Sequence, residues 1–156
     1  MSLIINKITS ETDLQEAFAV RFEVFVQEQH VPKDLELDEF EHSSTHYLAR
    51  WQGDAAGTCR WRRTDKGIKM ERFAVRQLLR GRGVAATLLQ QALTDVISEP
   101  LIYLHAQITA VGLYEKYGFV KKGEPFDEAG IVHYVMHLEK RDGLVTLMNT
   151  NNILCE

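Results

Sequence analysis

A turn built from two arginines and two glycines, Arg80-Gly81-Arg82-Gly83, separates a strand-like segment from an amphipathic helix, and it limits the possible folds more than any other stretch. Ahead of it, residues 68–75 read as a strand. Behind it, Ala85, Leu88, Leu89, Ala92 and Val96 recur at helical spacing until Pro100 stops the helix. Glycines at such a junction let the main chain approach a ligand, and the free N–H groups of a helix start favour an anion. With two guanidinium groups beside them, the anion expected is a phosphate. The phosphate loop of nucleotide hydrolases needs Lys and Ser or Thr after its last glycine, where Val84 and Ala85 stand here. The dinucleotide fingerprint follows the first strand of a parallel unit, a context this turn lacks.

The remaining pattern sets the frame around that turn. Residues 3–8 alternate as a first strand, and Thr12 with Gln15 predicts a capping box. The helix it opens has Leu14, Ala17, Phe18, Phe22 and Phe25 as its apolar face. Arg21 falls seven residues after Leu14, on that same face, so it requires a buried or ligand carboxylate. Residues 28–44 lose periodicity and gather Glu28, Glu36, Asp38, Glu39 and Glu41, which reads as a loop or irregular helix with a solvated charge run. Strands are expected at 46–51, 56–64 and 68–75, joined by tight turns. After the helix of 83–98 come a buried strand at 101–106 and a short helix at 110–117 closed by Gly118. Late strands follow at 119–122 and 132–138. A meander followed by crossover helices implies an α/β or α+β fold, a mixed sheet flanked by helices.

A chain of 156 residues suits one domain, placed at 1–140 with 141–156 as a tail. A net charge of −4 argues against a nucleic-acid surface, so the arginines are expected to serve something smaller. No segment is apolar for long enough to suggest a membrane span, and the first residues lack the order of a secretory signal, which leads to a cytoplasmic expectation. Cys59 is expected in the core and Cys155 in the tail, with no disulfide framework. His42 and His46 have no third ligand in a recognised pattern, so no metal is expected.

Arg80-x-x-Gly83-x-Ala85 resembles the acyl-CoA pyrophosphate motif of the GNAT superfamily of N-acetyltransferases. Glu71-Arg72-Phe73-Ala74-Val75 before it, and Leu113-Tyr114-Glu115-Lys116-Tyr117-Gly118-Phe119 after it, are similar to that superfamily's segments in the same order. Two further stretches, from Arg21 to Gln29 and Gly130-Ile131-Val132-His133, resemble a bacterial branch of small GNAT proteins. The resemblance implies a splayed central sheet, in which the strand ending at Val75 and the strand beginning at Leu101 part to admit acetyl-CoA. It implies cofactor contacts at Phe73, Ala74 and Val75, at Arg80, Gly81, Arg82, Gly83, Val84 and Ala85, and at Gln107 and Tyr114. Gln107 stands where many members carry Asn. The implied activity is transfer of acetyl from acetyl-CoA directly to a primary amine, on a small molecule or a protein, in a ternary complex. A non-catalytic acyl-CoA binding module is the alternative, and a homodimer is a further expectation.

An acceptor amine with a pKa near that of lysine, about 10.4, arrives as ammonium and needs a base. Glu71 is the candidate, because strand alternation puts it on one face with Phe73 and Val75. A cross-strand ion pair with Arg60, Arg62 or Arg63 is the other reading of Glu71. Tyr114 matches the superfamily's general acid, with anchoring of its short helix as the alternative. Substrate contacts are expected from Arg21, Glu28 and His133, the last as acceptor contact or proton relay, while His105 is expected to pack within its strand.

Overall fold

A computed structural model describes residues 2–140, so the expected tail at 141–156, with Cys155, lies outside the described residues. Seven strands form one sheet in the order β1-β2-β3-β4-β5-β7-β6. β1 (Leu3–Lys7), β2 (Thr45–Trp51), β3 (Asp54–Arg63) and β4 (Ile68–Val75) make an antiparallel meander. β5 (Ile102–Gln107) lies parallel to β4, and β6 (Phe119–Glu128) with β7 (Ile131–Leu138) completes the far end. Helices α1 (Glu11–Arg21), α2 (Lys33–Glu36), α3 (Val84–Val96) and α4 (Val111–Lys116) flank the sheet. This is the mixed, helix-flanked sheet that the sequence pattern implies. Among the described residues no helix is long and apolar enough to cross a membrane.

Helix α1 starts two residues earlier than its predicted box. Ser10 is the cap, its hydroxyl accepting from the Asp13 amide at 3.2 Å, and Gln15 donates instead to the Glu11 carboxylate. Ser10 with Asp13 offers the same chemistry as Thr12 with Gln15, two residues sooner. At its far end α1 continues into a π-helical stretch, Phe22–Glu28. The wider turn slips the 3.6-residue stripe. Val20 and Val24 therefore pack on Ala74, while Phe22 is left exposed.

The main core lies between the sheet and helices α3 and α4, with Leu88, Leu89 and Leu93 seated on Ile68, Met70, Ile102, Leu104 and Met136. Helix α3 packs tightly on Gly57 of β3, where a Cβ would stand 2.9 Å from the Ala74 carbonyl and the Val84 side chain.

Two features of β4 prepare the site. Its pairing with β5 runs through Ile68, Lys69 and Met70 only, opposite Ile102, Tyr103 and Leu104, and beyond that the strands part. This is the expected splay. The second feature is a bulge: Arg60 opposes Glu71 and Thr58 opposes Ala74, so β4 carries one residue more than β3, and Arg72 has a φ of 60°. An extra residue reverses the alternation of side chains. Met70, Phe73 and Val75 consequently pack with the main core beside α3, whereas Ala74 faces α1 and Glu71 faces the same way, opposite Arg60. The face that Glu71 was expected to share with Phe73 and Val75 does not exist.

β6 is longer than its predicted four residues. Gly123 and Pro125 read as breakers, but the strand absorbs them in a bulge between Lys122 and Phe126 and runs on to Glu128. A two-residue turn, Ala129 at φ 53° and Gly130 at φ 80°, then reverses the chain into β7.

Candidate active site

Where β4 and β5 part, a cleft of about 830 Å³ opens, reaching from the entrance of α3 to the β6–β7 turn. Gly81 and Gly83 both have positive φ, 77° and 78°, and a Cβ at either would meet nothing within 4 Å. Gly83 caps α3 without a side chain, and Val84, Ala85 and Ala86 of the first turn line the cleft. Orphan N–H groups and the positive end of the helix dipole thus face open space, an arrangement that can hold an anion.

Arg80 stands beside it. Its Nε donates to the Val75 carbonyl at 3.0 Å, and its two terminal nitrogens donate to the Glu28 carboxylate, each at 2.7 Å. These hydrogen bonds hold the Glu28 carboxyl below the usual range. Glu28, expected among the substrate contacts, therefore sits beside the entrance of α3, paired with Arg80. Arg82 turns away altogether: its guanidinium lies 5.2 Å from the Trp51 ring, leaving only its main chain at the helix entrance. Gln107, at the end of β5, donates to the side-chain oxygen of Gln29 at 2.9 Å. Phe73, Ala74 and Val75 line the cleft together with Tyr114. The Tyr114 ring meets Phe73 edge-on at 5.7 Å and Phe119 at 5.9 Å, and burial pushes its phenol pKa up. Such a phenol is protonated throughout the neutral range and keeps a proton to donate.

On the α1 side of the bulge the cleft is lined by charge. One Glu71 oxygen accepts from Arg60 at 2.7 Å and from Arg62 at 2.7 Å, and the other lies 3.3 Å from the Lys69 ammonium. Burial raises the Glu71 pKa, but Arg60, Lys69 and Arg62 together outweigh it and the net direction is down. The cross-strand ion pair is therefore present, and both oxygens of the expected base are already occupied. Arg21 is fully buried, with donors on Glu36 at 2.6 Å and on both oxygens of Glu41 at 2.9 and 2.7 Å. It has the carboxylates its position demanded, and in that role it is a structural tie rather than a substrate contact.

The acidic run is solvated only in part: Glu28 and Glu39 are exposed, whereas Asp38 is half-buried. Glu36 and Glu41 are buried, and Arg60 gathers Asp38, Glu41 and Glu71 around one guanidinium, tying the 33–44 segment to the bulge of β4. His133 of β7 and His105 of β5 both line the cleft, so His105 is more than strand packing. Glu128, which sequence reasoning missed, lies between the two imidazoles.

The family now follows from comparison. The sequence profile described as Acetyltransferase (GNAT) domain matches residues 8–140. The chain belongs to the GNAT acetyltransferase family. It is 39% identical over 140 residues to YjcF of Bacillus subtilis, named an uncharacterized N-acetyltransferase, with 87% of this chain and 98% of that one covered. The solved acyl-CoA N-acyltransferase of Pseudomonas aeruginosa superposes with a TM-score of 0.79 at 26% identity, over 88% of this chain and 100% of that one. A GNAT acetyltransferase of Elizabethkingia anophelis, solved with acetyl-CoA bound, shares the fold at a TM-score of 0.67 and 18% identity, over 88% and 98% of the two chains.

In this GNAT acetyltransferase the buried ion network makes stability depend on acid. The Asp38 and Glu41 carboxyls are each lowered to about 2: burial opposes ionisation, and hydrogen bonds from Arg60 and Arg21 outweigh it. Since the folded values lie below the unfolded ones, the stabilisation is complete above the unfolded pKa of each and is lost as pH falls towards about 2. At about 1.4 kcal/mol per unit this amounts to roughly 2–4 kcal/mol for each group, not additive because both share Arg60. His46 adds in the same direction at higher pH, because burial lowers its pKa and its protonation below about 6.5 opposes the fold. Urea unfolding is expected to show stability falling by several kcal/mol between neutral pH and about pH 3. A Glu41→Gln variant, destabilised at neutral pH, is expected to show a shallower fall.

Proposed function

We propose that the protein transfers the acetyl group of acetyl-CoA to a primary amine, with both substrates held together in a ternary complex. The observation that carries this reading is the uncapped first turn of α3, opening onto the cleft between the parted strands. There a pyrophosphate meets main-chain donors from Val84, Ala85 and Ala86 and the guanidinium of Arg80, once Glu28 yields it. The edge of β4 at Phe73, Ala74 and Val75, released from β5 by the splay, suits an extended amide-bearing arm added as a strand would be. Support also comes from the fold neighbour solved with acetyl-CoA bound.

The bulge divides the reaction between two sides. Phe73 and Tyr114 lie on the α3–α4 side, where the protonated phenol donates to the departing sulfur. The acceptor enters on the α1 side, past Glu71, His105 and His133, with the ionised Glu71 as an anion in that wall.

Calorimetric titration with acetyl-CoA, followed by thiol release against a panel of primary amines, tests the reading. Binding with release only in the presence of amine is expected. Arg80→Ala combined with Gly83→Glu removes a phosphate donor and puts a carboxylate into the cradle, which should weaken acetyl-CoA on the order of 100-fold. Unchanged affinity in a folded double variant would sink the cradle. Binding with no amine-dependent release would leave an acyl-CoA binding module.

A further inference from the structure

Glu128, at the end of β6, reaches back over β7 to β5. Its Oε1 lies 3.2 Å from His105 Nδ1, and its Oε2 lies 3.6 Å from His133 Nε2. All three side chains line the cleft. The pairings of Lys69 with Tyr103, of His105 with Val135 and of Gln107 with His133 put Glu71, His105 and His133 on the same side of the sheet. The Phe126 ring stacks on His133 at 5.9 Å and meets His105 edge-on at 5.1 Å, fixing both imidazoles.

The tautomer of His133 follows from its partner. Nδ1 lies 2.7 Å from the Ile131 carbonyl oxygen, which can only accept. Nδ1 therefore carries the proton in the neutral ring, and Nε2 is left with its lone pair beside the Glu128 carboxylate. A proton arriving at Nε2 completes the arrangement: one N–H then faces the Ile131 carbonyl and the other faces Glu128. Glu71, by contrast, has both oxygens occupied by Arg60, Arg62 and Lys69.

We propose that His133 Nε2 is the base that takes the proton from the acceptor ammonium, with Glu128 as its positioning residue and His105 holding Glu128 from the other side. The proposal rests on the amine acetyltransferase reading above. The protons balance. The ammonium gives one proton to Nε2, and the freed lone pair attacks the thioester carbon. As the carbon–sulfur bond breaks, Tyr114 gives its proton to the sulfur and the nitrogen loses its second proton to water. His133 and Tyr114 then return to their starting states through exchange with water, and one proton is released per acetyl group transferred.

The test is thiol release from acetyl-CoA by the full chain with a panel of primary alkylamines, for wild type, His133→Gln and Glu128→Gln, from neutral pH upwards. The titratable groups on this side of the sheet around the ring are Glu128 of β6, His105 of β5, and Lys69 and Glu71 of β4. His133→Gln is expected to lower kcat on the order of 100-fold near neutral pH, with acetyl-CoA affinity held within about twofold. The deficit should shrink as pH approaches the amine's own pKa, because a free amine has no proton to lose before it attacks. Glu128→Gln should show a smaller deficit with the same alkaline recovery. A deficit that is constant with pH would assign His133 to packing or acceptor contact and overturn the proposal. Ring-nitrogen NMR of the wild-type protein is a second measurement, independent of turnover. It should show the neutral His133 protonated at Nδ1, and a proton on Nε2 instead would overturn the proposal whatever the kinetics. Failure of the underlying reading has a different signature, no thiol release with any amine from wild type and variants alike, and it removes this proposal with it.

Discussion

Replacing Arg60 by alanine is expected to destabilise the protein by about 3–5 kcal/mol at neutral pH, measured by urea unfolding. The side chain is 1% exposed, and its guanidinium serves Asp38 at 2.6 Å, Glu41 at 2.5 Å and Glu71 at 2.7 Å. Removing it leaves those carboxylates short of a partner in a largely buried setting, and an uncompensated buried charge is what makes such a loss large. The cost is bounded because each carboxylate keeps another cation: Arg72 for Asp38, Arg21 for Glu41, and Arg62 with Lys69 for Glu71. The sign of the pH dependence checks the cause. In acid the wild type loses its own ion-pair stabilisation while the variant's carboxylates protonate, so the gap should narrow as pH falls. A constant gap would point to lost packing of the arginine stem. A change below about 1 kcal/mol would mean that the surrounding cations replace Arg60, and that the network does not hold the 33–44 segment against β4.

Features set by local rules were legible in the sequence. The α3 stripe, the two glycines at its entrance and the C′ glycine after α4 need only neighbours a few residues away, and the structure has all of them. The bulge at Arg72 was not legible, because nothing in the sequence marks arginine for a φ of 60°. Its side chain is held by parts distant in the chain, the Glu36 carbonyl and the Asp38 carboxylate. That single extra residue moved Glu71 off the face of Phe73 and changed the division of the site. The acidic run misled for a similar reason: a charge cluster resembles solvated surface until its partners are known, and Arg21 and Arg60 lie on α1 and β3. A signal was present, since the position of Arg21 already demanded a buried carboxylate. Glu128 was hidden because the predicted strand stopped at Lys122, whereas the bulge carries β6 past Gly123 and Pro125 to the cleft.

Tyr114→Phe is expected to lower kcat on the order of 100-fold or more while leaving the affinity for acetyl-CoA within about twofold. The variant keeps the ring, and with it the edge-on contacts to Phe73 and Phe119, so α4 should stay in place and thermal unfolding should change little. What it removes is one hydroxyl in a buried setting where ionisation of the phenol is strongly disfavoured. Such a group has one use in the proposed reaction, to donate to sulfur as the carbon–sulfur bond breaks, and that charge develops only in the transition state. An interaction made only there appears in kcat and not in substrate binding. The two proton positions can then be separated by acceptor choice. An aryl amine, already unprotonated at neutral pH, should bypass the need for His133 yet still require Tyr114, since the leaving thiolate is the same. Equal losses of kcat and of acetyl-CoA affinity in Tyr114→Phe would instead make the hydroxyl a binding contact. An unchanged kcat would leave water to protonate the thiolate, and the phenol would then serve only to anchor α4 against β6.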